Sequence, residues 1–257
     1  EGSSAVIHYF MEKVLVQKKL FKPEYKNLDL LRSNICSYIK RTCSPDEPDS
    51  GEFMLFSAFD ELGVKKIFEE ICGKYPEAKI TCIDPKMSCM GEGFIAIKAA
   101  ELVAEGKTFD EVVAYIEENK LRMNQFATVN TLDYLKRAGR VKASAAFFGN
   151  LFGVKPIIIS DINGQNTAIK KVKGRLASMD EIVNLLNDAM QGEEDRRVFV
   201  GHADCPQEEV DYLVNKVKEV IGTDEIYINY IGPIIGASIG PGAVVVYGWG
   251  KKVELEG

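Results

Sequence analysis

The chain has 257 residues, 46% of them hydrophobic and 27% charged, a balance that supports a buried core in one large domain or two ordinary ones. Lys plus Arg total 32 against 38 Asp plus Glu, a formal net charge of −6. That argues against a nucleic-acid binder, which needs a basic face to neutralise phosphates, although it leaves room for a local basic patch. Apolar runs such as Ala243 to Val246 are strand-sized, far below the roughly 20 residues of a membrane span. Glu1 is followed by neither a basic stretch nor an apolar core, so a cytoplasmic protein is expected. The cysteines Cys36, Cys43, Cys72, Cys82, Cys89 and Cys205 form no C-x-x-C pair and read as reduced, mostly buried thiols.

The first 60 residues carry little pattern beyond a loop at Ser44 to Gly51. Lys79 to Ile83 reads as a buried strand, followed by a loop containing Pro85, Gly91 and Gly93. Phe94 to Glu105 reads as a helix closed by Gly106. Thr108 and Glu111 then form a capping box for a helix with Val112, Val113, Ile116 and Leu121 on its apolar face. Phe126 to Val129 is a strand and Leu132 to Ala138 a short helix ended by Gly139. Val154 to Ile159 and Thr167 to Val172 flank Asn163-Gly164, the strongest hairpin signal in the chain. Ser178 and Glu181 cap a helix bearing Ile182, Leu185 and Leu186. Arg197 to Gly201 is a strand, Pro206 starts a helix lined by Val210, Leu213, Val214 and Val217, and Glu225 to Tyr230 and Ala243 to Tyr247 are strands around a glycine-rich loop. The alternation gives an α/β fold class, with an N-terminal α/β domain over 1–125 and a C-terminal α+β domain over 126–257.

Three enzyme motifs can be weighed. Gly236-Ala237-Ser238-Ile239-Gly240 matches G-x-S-x-G, but His8 and His202 both precede the serine and no helix pattern follows it. Gly91-x-Gly93-x-x-Ala96 matches a loose dinucleotide fingerprint, but seven residues separate it from the preceding strand. Two distant histidines and unpaired cysteines disfavour a zinc site. No cofactor and no metal are expected. Two features remain: the run Gly232 to Gly242, in which glycines let backbone N–H groups approach an anion or simply make a tight turn, and the aromatic stretch Phe147 to Pro156, either a core helix or the wall of an apolar cavity.

Ile83-Asp84 with Met90-Gly91-Glu92-Gly93, Thr131-Leu132-Asp133-Tyr134-Leu135-Lys136-Arg137-Ala138-Gly139-Arg140, Gly149 to Pro156, Lys173-Gly174-Arg175 and Gly236 to Gly242 occur in this order. They resemble five motifs of the DegV family: a strand–loop–helix, T-L-x-Y-L-x-x-G-G-R, G-x-L-x-x-I-K-P-I, R-x-R and G-A-H-x-G-P-G. The resemblance runs from about Lys79 to Lys252. It implies a two-domain fold with a ligand tunnel between the domains and a bound long-chain fatty acid (C14–C18) presented to a partner fatty acid kinase. The protein would then be a carrier and not an enzyme.

On that resemblance, Ser238, Ile239 and Gly240 meet the carboxylate, with Ser44 and Ser57 as further hydroxyls. Phe147, Phe148, Leu151, Phe152 and Ile95 line the acyl chain. Lys173 and Arg175 are exposed docking charges for the kinase, and Arg140 either pairs near the head group or caps the 132–138 helix. A chain of about 15 methylenes offers roughly 12 kcal/mol of gross burial at about 0.8 kcal/mol each, from which ordering and association costs are subtracted. The sequence departs from the family at its opening D-S-T-x-D strand and at T-S-x-P-S and S-S-x-L-S-G-T, and Ser238 stands where a histidine is usual. Asp60 and Glu61 would repel a fatty carboxylate beside them. Two rivals stay open: a serine hydrolase using Ser238 with His202 as base, and a degenerate member acting only as an interaction module.

Overall fold

The computed structural model describes residues 51–56, 64–141 and 153–256. The chain divides into two compact units, one of residues 1–85 and 93–118, the other of 86–92 and 119–257. The boundary expected at residue 125 falls within a strand of the second unit.

In the first unit, strand β1 (Gly51–Phe56) pairs in parallel with β2 (Ala78–Ile83), Gly51 opposite Ala78 and Phe56 opposite Ile83. Parallel neighbours need a crossover, and helix α1 (Val64–Lys74) lies between them in the chain. Helix α2 (Met90–Ala104) follows, its residues from Gly93 onward belonging to this unit, with Phe94, Ile95, Ala96 and Ala99 buried. Gly91 and Gly93, expected in a loop, lie inside its first turns. The capping box of α3 (Phe109–Asn119) is present: the Thr108 N–H and hydroxyl donate to Glu111 Oε2 at 2.8 Å each, and the Glu111 N–H donates back to Thr108 Oγ1. These bonds, backbone first, hold the Glu111 carboxyl below its usual range.

The second unit is built on six strands in the order β5-β4-β3-β8-β6-β7. They are β3 (Met123–Thr128), β4 (Val154–Ser160), β5 (Asn166–Lys173), β6 (Val198–Ala203), β7 (Ile226–Tyr230) and β8 (Ala243–Trp249). All neighbours are antiparallel except β6 and β7. The β4–β5 hairpin forms as expected around Asn163-Gly164, where Asp161 Oδ1 accepts from the Asn163 and Gln165 N–H groups at 2.9 Å each. Central strand β8 is buried along its whole length, which is why Ala243 to Val246 reads as a continuous apolar run.

Helices α5 (Arg175–Ala189) and α6 (Gln207–Ile221) pack together, and one core forms from their apolar sides and one face of the sheet. Phe126, Ile157, Val200 and Val246 from the strands meet Ile182, Leu186, Leu213 and Val217 from the helices. Ser178 does not cap α5. The helix starts three residues earlier, after Gly174 at φ 97°, and the buried Ser178 hydroxyl donates to Arg175 O at 2.7 Å inside it.

Among the described residues of this unit there are also two short helices. Helix α4 (Asp133–Ala138) ends at Gly139, whose φ of 64° matches the expected stop. Helix α7 (Pro233–Ile239) occupies the run expected to be loop, with Pro233 in its first turn.

Candidate functional site

The glycine-rich run leaves β7 through Ile231, whose N–H donates to His202 O at 2.8 Å. After α7 it turns sharply through Gly240, Pro241 and Gly242 into β8. Gly240 has φ 83° and ψ 168°, and Gly242 has φ 76°, conformations that only glycine adopts without strain. Space is as restrictive as torsion. A Cβ on Gly240 would strike the Tyr134 ring, and one on Gly242 would strike Asn130 Nδ2. The turn is therefore moulded on the connection between β3 and α4.

Polar contacts fix the turn further. The Gly242 N–H donates to Ala203 O at 2.6 Å. Asn130 Nδ2 donates to Pro241 O at 3.3 Å, and Lys155 Nζ on β4 donates to Asn130 O at 3.2 Å and Oδ1 at 3.1 Å. Arg175 Nη2, at the start of α5, donates to Gly242 O at 2.6 Å. Arg175 Nε and Nη2 both reach Glu209 Oε2 on α6, at 3.0 and 2.8 Å, and Nη2 lies 3.5 Å from Cys205 Sγ.

This cluster changes the chemistry of its members. Burial acts to raise the Glu209 carboxyl, but hydrogen bonds from Arg175 and Cys205 and the guanidinium charge outweigh it and hold it below the usual range. Burial, then the 3.1 Å hydrogen bond that the thiol gives to Glu209, push Cys205 up to about 11. Burial and the neighbouring Arg175 charge lower Lys155.

A second contact brings segment 86–92 to the start of the glycine-rich run. The Cys89 sulfur accepts hydrogen bonds from the N–H groups of Gly232 and Met90 and from the Tyr247 hydroxyl. Burial nevertheless raises the Cys89 thiol, and Tyr247, fully enclosed, is raised well above its ordinary value, first by burial and then by Cys89. The segment is pinned at its other end by Ser160, whose hydroxyl donates to Lys86 O at 2.9 Å. Lys86 and Cys89 have φ of 54° and 58°.

The expected site residues divide as follows. Ser238 and Ile239 lie half-buried in the last turn of α7, with Gly240 buried just after it. Ile95 is wholly buried on α2 in the first unit. Lys173 is exposed at the end of β5. Arg175 is not an exposed docking cation: its side chain is 15% exposed and its charge is engaged by Glu209. Arg140 donates through its backbone N–H to Leu135 O at 2.9 Å, completing the C-terminal cap of α4. Ser44, Ser57, Asp60, Glu61, Phe147, Phe148, Leu151 and Phe152 lie outside the described residues.

Nor does Ser238 sit on a nucleophile elbow, which needs a strand-to-helix turn at the serine; here the serine ends a helix. His202 lies within β6, 6% exposed, its ring 4.4 Å from that of Tyr230, and burial lowers its pKa. Among the described residues no group of three metal-ligating side chains converges, and no helix is long and apolar enough to cross a membrane. Cys89, Asn130, Tyr134 and Glu209 have positions at the run that the sequence did not assign.

Fold and turn together define a mixed α/β protein in which a glycine-dependent turn is locked by three elements of one sheet-and-helix unit. A family model described as an uncharacterised protein of the DegV family matches residues 65–248, and the chain belongs to that family. It is 33% identical over 186 residues to the DegV domain-containing protein CPE0026 of Clostridium perfringens, a match covering 72% of this chain and 64% of that protein. The chain thus spans less than two thirds of the length of the first curated relatives it matches. Its fold is similar to that of DegV, a fatty acid binding protein from Bacillus subtilis (26% identity, TM-score 0.68, 88% of this chain and 77% of that one). It is also similar to that of a DegV family protein from Eubacterium eligens loaded with heptadecanoic acid (17% identity, TM-score 0.70, 90% and 87%).

Proposed function

We infer that the protein is a fatty-acid carrier of the cytoplasm. It holds a C14–C18 fatty acid with the carboxylate at Ser238, Ile239 and Gly240 and presents that carboxylate to a fatty acid kinase, itself performing no catalysis. Ser44 and Ser57 add hydroxyls at the head group, Phe147, Phe148, Leu151, Phe152 and Ile95 line the acyl chain, and exposed Lys173 contributes to kinase docking. The observation that carries the reading is the turn at Gly240 to Gly242. Side chains from neighbouring elements hold it in a glycine-only conformation; its own N–H groups are taken, Gly240 by Gly236 O and Gly242 by Ala203 O, and the serine held beside it supplies the O–H donor that suits a carboxylate. Fatty-acid binding by family members of the same fold supports the assignment of the ligand.

The test is to denature the purified protein, extract it and analyse the organic phase by mass spectrometry. A stoichiometric C14–C18 acid is expected. A clean extract, followed by no thermal shift with added C14–C18 acids, would overturn the reading. Labelling of Ser238 by a fluorophosphonate would instead mark a serine hydrolase.

A further inference from the structure

Two groups outside the expected carboxylate contacts hold the carbonyls of the glycine turn, and two charged side chains stand behind them. Arg175 takes Gly242 O and Asn130 takes Pro241 O. Behind each stands a second charged group: Glu209 behind Arg175, Lys155 behind Asn130. These residues belong to α5, the β3–α4 connection, α6 and β4, so elements far apart in the chain meet at one turn.

The turn has little of its own to hold it in place, since glycine backbones lose more conformational freedom on ordering than any other. Anchoring these carbonyls fixes the Pro241–Gly242 and Gly242–Ala243 peptide planes, where the run that carries Ser238 leaves α7 and enters β8, and with them the place of that helix end. Arg175 is suited to this because its planar fork serves two acceptors at once: Nη2 bonds both Glu209 Oε2 at 2.8 Å and Gly242 O at 2.6 Å. Glu209 both orients the guanidinium and balances its charge. Lysine, with a single ammonium and no planar fork, cannot reproduce that geometry.

We propose that Arg175 and Asn130 are positioning residues for carboxylate recognition, each braced by its own charged partner, and that they set the preference for a carboxylate over an uncharged head group without touching the ligand. This deepens the fatty-acid reading and rests on it. Arg175 therefore serves the site from within its own unit.

The experiment compares binding of hexadecanoate and hexadecan-1-ol, which share an acyl chain and differ in the head group, to the wild-type chain and to Arg175→Ala, Arg175→Lys and Asn130→Ala. Wild type is expected to prefer the acid. In both alanine variants the acid is expected to weaken by about tenfold, a change of about 1.4 kcal/mol, while the alcohol moves by less than about twofold, well under that same increment. Arg175→Lys is expected not to restore the preference. Retention of the preference in the variants, or an equal loss of both ligands, would overturn the inference, because a merely structural role moves both together. If Arg175→Ala does not fold, Asn130→Ala carries the same comparison. A wild-type protein that binds neither lipid would mark failure of the fatty-acid reading itself, whatever the variants do.

Discussion

Segments 86–92 and 232–242 meet at Cys89 and Gly232, but they use glycine differently. Gly91 lies in the first turn of α2, where the missing side chain makes room for the Met87 side chain and the Tyr247 ring. Gly240 and Gly242 lie outside helix and strand at φ 83° and 76°, with Tyr134 and Asn130 filling the space a Cβ would take. In the first segment only volume is at stake, and a flexible methionine can yield. In the second, torsion and volume together forbid a side chain.

Gly242→Ala should show the largest effect. An alanine at positive φ costs on the order of 1–2 kcal/mol, and displacing Asn130 forfeits its bond to Pro241 O, roughly another 1 kcal/mol. A loss of about 2–3 kcal/mol in urea unfolding is expected on adding these, together with loss of fatty-acid binding. Wild-type stability and binding in this variant would break the contrast at once.

Gly91→Ala should cost less. Alanine is favoured over glycine in a helix by about 1 kcal/mol, which offsets part of the overpacking, typically about 1–3 kcal/mol. The new Cβ strikes Met87 Cγ and sits 3.0 Å from a carbon of the buried Tyr247 ring. A net destabilisation of about 1 kcal/mol is expected, and Gly91→Ala with Met87→Ala should recover the overpacking share. A double variant no better than the sum of the singles would show that the ring, and not the methionine, sets the limit.

Much of this arrangement was open to local reading. Thr108 with Glu111, Gly139 after α4 and Asn163-Gly164 each act over a few residues, and each folds as its chemistry dictates. The errors are local as well. Ser178 has the spacing of a cap, yet Gly174 at φ 97° lets α5 begin at Arg175. In Pro233 to Ile239 three isoleucines and several small residues disguise a single helical stretch whose one clear start signal is Pro233. The role of Arg175 was illegible for another reason. Its partners are 34 and 67 residues away, and only the sheet order places them beside it.

The smallest effect concerns the thiol that joins the two segments. Burial raises Cys89 in the folded chain above its ordinary value of 9.0, so the native state keeps its proton at pH values where the unfolded chain has lost it. Above about pH 9 the unfolded state binds fewer protons, and stability must fall as pH rises. The contribution is fully present below the unfolded value and is lost as pH climbs through the folded one. Tyr247, raised by burial and by Cys89, and Cys205, raised to about 11, add to the same slope. Melting temperature is therefore expected to decline between pH 8.5 and 10.5, less steeply in Cys89→Ala than in wild type. Equal slopes would mean that the sulfur between Gly232 and Tyr247 is not held as a protonated thiol, and that segment 86–92 touches the glycine-rich run without being electrostatically coupled to it.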